Sequence, residues 1–235
     1  MIYGLRKNGR EHGTVLTRII VVKFMLNSLG YIPDKDLSQI RVLDPSGGYG
    51  AFILECIKVL SESSKKFGFN FANAFNNLKV VELDTKKCIV LKKNIKKLLF
   101  ELGKLNEVNR PEKIVANEDF LLSNYSGYDV VIGNPPYVRH EHIPSTKKNA
   151  YKGKFRTFRN RSDLYVPFFE KGLNILNGNG SLCYICSNRW LKNTYGKILR
   201  EHITKYFQIP LIVNLEKTQP FSEEVLAYPA IILIK

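Results

Sequence analysis

The run Asn134-Pro135-Pro136-Tyr137 brings together groups that could hold a planar ligand carrying N–H groups. It follows an apolar stretch over residues 128–133, which predicts a buried strand. The two prolines must end that strand, because proline lacks a backbone N–H and fixes φ. A side-chain amide, a backbone carbonyl and an aromatic ring thereby meet at a strand's carboxyl end. Ligands of open α/β sheets bind at such ends, so the run predicts a site; a plain strand-ending turn is the alternative.

A glycine-rich turn supplies a second set of binding groups. The strand predicted over residues 40–44 leads into a turn at residues 45–50, and a helix follows over residues 51–60. This order is typical of sites for adenosine-containing cofactors, because glycine lets the backbone approach a ligand closely. The turn lacks the Gly-Lys-Ser/Thr of a phosphate-binding loop. Asp44 instead places a carboxylate at the turn, which favours a cationic ligand.

Two further strand ends carry polar or aromatic groups. Glu82 lies near the end of the second predicted strand, where an acid accepts hydrogen bonds from a ribose diol in dinucleotide folds. After a third strand, predicted over residues 113–116, Asp119 could accept a hydrogen bond from an adenine amino group and Phe120 could stack on its ring. Asp84 is predicted to cap the helix that follows the second strand.

These elements predict one α/β domain. Helical spacing of apolar residues predicts four more helices, over residues 14–30, 85–102, 163–176 and 195–207. Thr17 is placed to cap the first of them, and residues 67–77 are interpreted as a loop. Three more strands are predicted over residues 181–186, 209–215 and 226–234, the last two as a hairpin at the sheet edge. The sequence therefore predicts a Rossmann-like fold, with a mostly parallel seven-stranded sheet, helices on both faces and an antiparallel edge hairpin.

The chain is strongly basic, and many of its cations follow the proline turn. Lys and Arg outnumber Asp and Glu by 36 to 21, which gives a formal net charge of +15. This charge indicates a polyanionic partner such as nucleic acid. The alternative is that the excess of lysine only reflects a lysine-rich proteome. Residues 138–161 are interpreted as a basic loop. Its cations are Arg139, Lys147, Lys148, Lys152, Lys154, Arg156, Arg159 and Arg161. Tyr151, Phe155 and Phe158 are interleaved with them, so the loop could contact phosphates and open a strand; a merely solvated loop is the alternative.

Other functional classes receive little support. No apolar run approaches the length of a membrane span and the N-terminus lacks the apolar segment of a signal peptide, so a cytoplasmic protein is expected. The four cysteines do not make a disulfide framework. Cys183 and Cys186 have the spacing of metal ligands, but they face opposite sides of a predicted strand and no second pair accompanies them. No metal site is expected.

In their order along the chain, these motifs resemble those of the S-adenosylmethionine-dependent DNA adenine-N6 methyltransferases of restriction-modification systems. The motifs that carry the resemblance are residues 44–52, 81–84, 119–120 and 134–137. The short interval between the glycine turn and Asn-Pro-Pro-Tyr resembles the gamma group, whose recognition domain follows the catalytic one. The resemblance implies a Rossmann-like methyltransferase catalytic domain over residues 1–235, with residues 1–30 as an N-terminal cofactor segment and the target-recognition domain outside this chain.

The resemblance also implies a role for each site residue. Glu82 would hold the ribose of S-adenosyl-L-methionine, and Asp119 with Phe120 would hold its adenine. The residues along its methionine part would be Thr17, Asp44, Gly47 and Gly50. Tyr195 would supply a second aromatic ring to stack on the target base.

The implied reaction transfers a methyl group to the N6 amino nitrogen of adenine in double-stranded DNA. That nitrogen is a poor nucleophile, because its lone pair is delocalised into the ring. The Asn134 side-chain oxygen and the Pro135 carbonyl would each accept one N–H and free the lone pair for in-line attack on the sulfonium methyl group. The base must leave the duplex, and Tyr137 would stack on it.

Two alternatives remain open at this stage. Asn-Pro-Pro-Tyr also occurs in enzymes that methylate RNA bases or a protein glutamine amide. The basic segment favours nucleic acid over protein, but it does not separate DNA from RNA. The other alternative is a catalytically silent nucleic-acid-binding subunit. Under the gamma-group resemblance, a specificity domain or subunit outside this chain selects the target sequence.

Overall fold

Seven strands form one mixed sheet within residues 16–159, 161–222 and 228–235, which are the residues that the computed structural model describes. The strands are β1 (Val42–Asp44), β2 (Leu78–Glu82), β3 (Val115–Asn117), β4 (Tyr128–Gly133), β5 (Leu176–Ser187), β6 (Leu211–Asn214) and β7 (Pro229–Ile234). Their order across the sheet is β3-β2-β1-β4-β5-β7-β6. Strands β1 to β5 pair in parallel, and β7 pairs antiparallel with both β5 and β6. The predicted Rossmann-like sheet with an antiparallel edge hairpin is confirmed.

Seven α-helices connect these strands in the described part of the chain. They are α1 (Ile19–Leu29), α2 (Ala51–Phe67), α3 (Phe71–Phe75), α4 (Thr85–Glu101), α5 (Ser145–Lys154), α6 (Tyr165–Asn174) and α7 (Lys197–Tyr206). Helix α4 starts where predicted, because the Asp84 carboxylate accepts hydrogen bonds from the N–H groups of Lys86 and Lys87 at 2.7 and 3.2 Å.

Alternation along the central strands divides the core into two layers. Successive residues of a strand face opposite sides of the sheet. Val42 packs in the layer formed with α1, α2 and α4, whereas Leu43 packs in the layer formed with α6 and α7. Because helices cover both sides of the parallel strands, adjacent residues such as Val80 with Val81 and Val131 with Ile132 are all buried. These strands run in the same direction, so their carboxyl ends meet at one edge of the sheet.

In the segment over residues 138–161, predicted as a loop, the described residues form turns and helix α5. A single 3-10 turn at His140–His142 precedes that helix. Tyr151, Phe155 and Phe158 are buried in the core and cannot stack on the bases of a nucleic acid. Tyr151 and Phe155 are four residues apart, a spacing that places both on one side of a helix. The loop prediction was wrong because it was based on the number of cations and not on the helical spacing of Tyr151 and Phe155.

Several other boundaries differ from the prediction: α2 extends to Phe67 rather than to residue 60, and β5 begins at Leu176 rather than at residue 181. Residues 67–77, interpreted as a loop, contain helix α3, whose first turn is capped by the Asn70 side chain accepting from the Asn73 N–H at 2.9 Å. Strand β3 begins two residues later than predicted, because Pro111–Ile114 form a 3-10 turn before it. Residues 226 and 227 of the last predicted strand lie outside the described residues.

The start of the first helix corrects the prediction for Thr17. Helix α1 begins at Ile19, its N-cap position is Arg18, and no side chain caps it. Thr17 instead forms an isolated antiparallel bridge with Phe221, so the predicted capping role is wrong. Residues 1–15 of the predicted N-terminal cofactor segment lie outside the described residues.

All four cysteines are buried and none forms a disulfide. Burial raises the pKa of Cys56, Cys183 and Cys186 above the usual range of a thiol. Burial, aided by the charge of Glu82, raises the pKa of Cys88 to about 11. Within the described ranges, no cluster of three or more His, Cys, Asp or Glu side chains could hold a metal ion. No helix in those ranges is both long and apolar enough to cross a membrane.

Helix α6 packs closely on the sheet at Gly172. A Cβ atom there would lie 2.5 Å from Leu182 Cδ1 and 2.6 Å from the Tyr184 hydroxyl oxygen, and both neighbours are fully buried on β5. We expect Gly172→Ala to lower the free energy of unfolding in urea by about 1–3 kcal/mol, because the added methyl group pushes α6 away from β5. Gly153→Ala, on α5, meets no atom within 4 Å and should raise that free energy by up to about 1 kcal/mol. Equal effects of the two substitutions would contradict the close approach.

Candidate active site

One pocket opens at the edge where β1, β2, β3 and β4 end. Each of these strands contributes residues from its carboxyl end to the pocket wall. These wall residues are 45–49, 82–84, 118–120, Asn134 and Pro136. Leu16, Thr17, Lys87, Val138 and Phe168 contribute from other elements. Of the predicted site residues, the pocket brings together Thr17, Gly47, Glu82, Asp119, Phe120 and Asn134. Four other residues of the predicted cofactor and catalytic sets are next to wall residues in the sequence but do not line the pocket. They are Asp44, Gly50, Pro135 and Tyr137.

The glycine turn is held tightly against β2. The Gly47 N–H donates to the Val81 carbonyl at 2.9 Å, and a Cβ atom on Gly47 would overlap Val80 Cγ2. Gly50 has a φ of +105°, and a Cβ atom there would lie 2.8 Å from Leu91 Cδ1. Backbone therefore forms this side of the pocket, and Gly50 supports it from outside the wall.

Glu82 joins the glycine turn to the start of α4. Its Oε2 accepts a hydrogen bond from the Gly48 N–H and its Oε1 accepts one from the Asp84 N–H, both at 2.8 Å. Each oxygen of an ionised carboxylate can accept a second hydrogen bond. Glu82 thus retains acceptor capacity for a pair of ligand hydroxyl groups.

Asp44 lies behind the pocket wall and is only 1% exposed. Its Oδ1 accepts from the Ser46 N–H at 3.1 Å, and its Oδ2 has no hydrogen-bond partner among the residues described. Burial raises the pKa of Asp44 to about 7; the Ser46 N–H opposes this rise and the Glu82 charge adds to it. The carboxyl group therefore changes charge near neutral pH.

Asn134 is fixed by two segments that are distant in sequence. The Ser46 hydroxyl donates to the Asn134 backbone carbonyl at 3.0 Å, and the Asn134 side-chain Nδ2 donates to Thr17 Oγ1 at 3.3 Å. Thr17 thus contacts the proline turn directly. Sequence reasoning missed this pair, because no periodicity links residues 117 positions apart.

Tyr137 is half-buried beside an aromatic residue that the sequence analysis missed. Its hydroxyl lies 3.5 Å from the Ile185 carbonyl, and its ring meets Phe221 edge to face with 6.2 Å between centroids. Tyr195, predicted as the second aromatic, does not line the pocket, and its hydroxyl lies 2.8 Å from that of Tyr165. Phe221 is a single aromatic residue in a polar connector, which gave no pattern to detect.

Asp119 is bonded to the segment that was predicted to face nucleic acid. Its Oδ2 accepts from Lys147 Nζ at 2.8 Å and from the Tyr151 hydroxyl at 2.7 Å, and its Oδ1 accepts from the Leu121 N–H at 3.1 Å. These donors leave part of the carboxylate's acceptor capacity for a ligand, since a carboxylate offers about four lone-pair positions.

Phe120 is anchored from α6. Its ring centroid lies 5.2 Å from that of Phe168. Lys171 Nζ donates to the Phe120 carbonyl and, at 2.6 Å, to the Ser123 carbonyl, and it lies 4.8 Å from the Phe120 ring centroid. Burial lowers the pKa of Lys171 to about 8, with Lys154 contributing. This buried amine, which sequence reasoning also missed, fixes the apolar part of the pocket wall that Phe120 forms.

The cations predicted to contact nucleic acid divide into two groups. The exposed ones are Arg139, Lys152, Lys154, Arg156, Arg159 and Arg161. Lys148 is half-buried, and the Lys147 side chain is 19% exposed and forms an ion pair with Asp119. Lys147 is therefore directed toward the pocket wall, contrary to the surface position predicted for it.

A family model described as Eco57I restriction-modification methylase matches residues 52–221. The chain belongs to this family. Type II methyltransferase M.BstVI of Geobacillus stearothermophilus is 36% identical to it over 241 residues, covering 96% of this chain and 42% of that protein. The chain thus spans less than half the length of such curated relatives. The predicted membership among restriction-modification methylases is confirmed.

Solved structures with low sequence identity share the fold. One described as a class I S-adenosylmethionine-dependent methyltransferase from Listeria monocytogenes has a TM-score of 0.64 at 16% identity and covers 93% of this chain and 60% of that chain. The Type ISP restriction-modification enzyme LlaGI, solved with a DNA substrate mimic, has a TM-score of 0.72 at 18% identity and covers 94% of this chain and 23% of that chain. The chain has the S-adenosylmethionine-dependent methyltransferase fold.

The cofactor of this Eco57I-family chain is S-adenosyl-L-methionine, and the pocket residues fit it. Glu82 and Asp119 offer hydrogen-bond acceptors, and Phe120 with Phe168 forms an apolar wall. The buried Asp44 behind the glycine turn is the carboxylate that a cationic ligand would favour. The chemistry of this acceptor set matches a ligand with a diol, an aromatic amine and positive charge.

The pKa of Asp44 predicts a pH-dependent stability. Its folded-state value of about 7 lies above the ordinary value of 3.8, so the folded protein binds the extra proton between these values. The stabilisation from the neutral form is complete below about pH 4 and is lost as the pH rises through about 7, at ~1.4 kcal/mol per pH unit at most. In urea unfolding without cofactor from about pH 5 to 8, we expect Asp44→Asn to remove this decline. The exposed control Asp36→Asn should retain it; a decline unchanged in Asp44→Asn would contradict the assignment.

Proposed function

We propose that this chain is the catalytic domain of a DNA adenine-N6 methyltransferase of a restriction-modification system. The observation that carries the proposal is the position of Asn134, at the end of β4, in one pocket wall with the glycine turn, Glu82 and Asp119. An acceptor for an amino group therefore shares one cavity with Gly47, Glu82, Asp119 and Phe120 of the predicted cofactor-binding set. A silent binding subunit would have no need of this arrangement.

The proline turn supplies the two acceptors that activate the target nitrogen. The Asn134 side-chain oxygen and the Pro135 carbonyl each accept one N–H of the adenine amino group, which draws the nitrogen toward tetrahedral geometry. Thr17 and Ser46 hold the Asn134 amide and backbone, so little reorganisation is needed during the reaction. Tyr137 stacks on the extruded base, and Phe221 supports its ring from the edge.

The cofactor pocket positions the methyl donor. S-adenosyl-L-methionine supplies an electrophilic methyl group on a sulfonium sulfur. Glu82 binds the ribose, Asp119 accepts from the adenine amino group, and Phe120 stacks on the adenine ring. Gly47 and Gly50 allow the backbone approach along the methionine part, and Asp44 provides the negative charge behind it. Binding both reactants in one cavity makes the transfer effectively unimolecular.

The segment after the turn provides the phosphate contacts. Its exposed cations, Arg139, Lys152, Lys154, Arg156, Arg159 and Arg161, neutralise the backbone of double-stranded DNA. Such contacts carry no sequence information. We therefore propose that a recognition domain or a separate subunit outside these 235 residues selects the target, which fits the greater length of the relatives. A cytoplasmic location remains a prediction.

Replacing Asn134 tests the acceptor role. We expect Asn134→Ala, in the complete protein, to reduce methyl transfer to duplex DNA by at least about 10²–10³-fold, because one of two transition-state hydrogen bonds is lost. The affinity for S-adenosylhomocysteine, measured by calorimetry, should stay within a few fold. The control Asn106→Ala removes an exposed amide distant from the pocket wall and should change neither quantity.

The substrate class is tested in the same assay. Labelled methyl transfer is measured in parallel on duplex DNA, RNA and a glutamine-containing peptide, and the modified base is identified after digestion. N6-methyladenine in DNA supports the proposal. Transfer only to RNA or peptide, or full transfer by Asn134→Ala, would refute it.

Replacing Glu82 tests the ribose contact separately from the structural role of that residue. We expect Glu82→Gln to weaken S-adenosylhomocysteine binding severalfold or more, because a charged acceptor is lost. The wild type should also bind the 2′-deoxy analogue more weakly, whereas Glu82→Gln should distinguish the two ligands much less. If the variant keeps the wild-type preference, Glu82 does not bind the ribose.

A further inference from the structure

Helix α5 connects two regions to which the proposed function assigns different ligands. One turn of this helix places Lys147 and Tyr151 on the same face, four residues apart, and both donate to Oδ2 of Asp119 in the cofactor pocket. The same helix carries Lys152, whose exposed side chain is available to phosphates. A single carboxylate oxygen therefore joins the nucleic-acid-facing segment to the pocket wall.

The contact is built like an interior one. The Tyr151 side chain is fully buried, and its ring meets Phe158 edge to face at 5.6 Å between centroids. The side chains of Lys147 and Asp119 are 19% and 14% exposed. Ion pairs and hydrogen bonds at this degree of burial are screened less than surface pairs, so they constrain geometry more strongly.

The pocket wall beyond Asp119 depends on the same packing. Phe120 follows directly, and Lys171 of α6 fixes its carbonyl and that of Ser123. Lys154, on α5, donates to the Leu122 carbonyl at 3.3 Å. Helices α5 and α6 thus both hold the short wall segment through hydrogen bonds, and a displacement of α5 would move the acceptor for the adenine amino group.

We propose that Lys147 and Tyr151 are positioning residues that couple cofactor binding to nucleic-acid binding through Asp119. The proposal rests on the proposed function, because it takes Asp119 as the acceptor for the cofactor adenine. A nucleic acid bound to the cations of α5 holds the helix in place and so pre-orients Asp119, and a bound cofactor orders the same contact from the other side. Each ligand thereby strengthens the binding of the other, by the same factor.

The coupling factor is the quantity to measure. The dissociation constant of S-adenosylhomocysteine is determined by calorimetry with the complete protein, in the absence and in the presence of a saturating duplex oligonucleotide that contains the target site. We expect the duplex to tighten wild-type binding by at least about fivefold. In Tyr151→Phe, which keeps the buried ring and removes only the hydroxyl, and in Lys147→Met, the ratio should approach one.

Arg159→Met is the matched control, because it removes an exposed cation of the same basic segment that lies outside α5 and is not bonded to Asp119. It should weaken duplex binding and leave the ratio at the wild-type value. If Lys147 and Tyr151 have only a structural role, their substitution will weaken the binding of both ligands but preserve the ratio. That result would overturn the proposal. A wild-type ratio of one would also overturn it. If the wild type binds no cofactor at all, the proposed function fails together with the coupling proposal. If it binds the cofactor with a ratio of one, only the coupling proposal fails.

Discussion

The two hydrogen bonds that the Glu82 carboxylate accepts hold the rest of the pocket in place. One fixes the Gly48 N–H of the glycine turn, and the other fixes the Asp84 N–H at the start of α4. The turn carries Ser46, whose hydroxyl reaches the proline turn, so a constraint on β2 extends to β1 and then to Asn134. The order β2-β1-β4 across the sheet makes this chain of contacts short. The same carboxylate is both a structural bridge and the proposed ribose ligand, which links folding of the turn to binding.

Features that depend on local pattern were predictable from the sequence. Apolar runs that end in Asp44, Glu82 and Asn134 predicted parallel strands, and the rule that such strands place their carboxyl ends together predicted the pocket edge. The Asp84 cap was predictable because an acid before a helix satisfies its free N–H groups. The positions of Glu82, Asp119 and Asn134 in one wall follow from these local signals and a known topology.

Features that depend on contacts between distant segments were not predictable. The bridge of Thr17 to Phe221 joins opposite ends of the chain, and the bond from Asn134 to Thr17 joins residues 117 positions apart. The prediction for the basic segment was wrong because it relied on the cations, which are typical of a solvent-exposed loop. Tyr151 and Phe155 lie at helical spacing, which is typical of a helix packed on the core, and this packing determines the conformation of the segment. Lys171 gave no signal, because a lysine in a helix is ordinarily exposed and this one is buried against backbone carbonyls.

The burial of the four thiols has a chemical meaning for a protein whose cofactor is an alkylating agent. A thiolate is a strong nucleophile, whereas a neutral thiol reacts slowly. The raised pKa values keep Cys56, Cys88, Cys183 and Cys186 neutral, and none of them lines the pocket. Within the part of the chain that the structure describes, no cysteine thiolate therefore faces the pocket that holds the reactive sulfonium, and this placement of the cysteines disfavours their methylation.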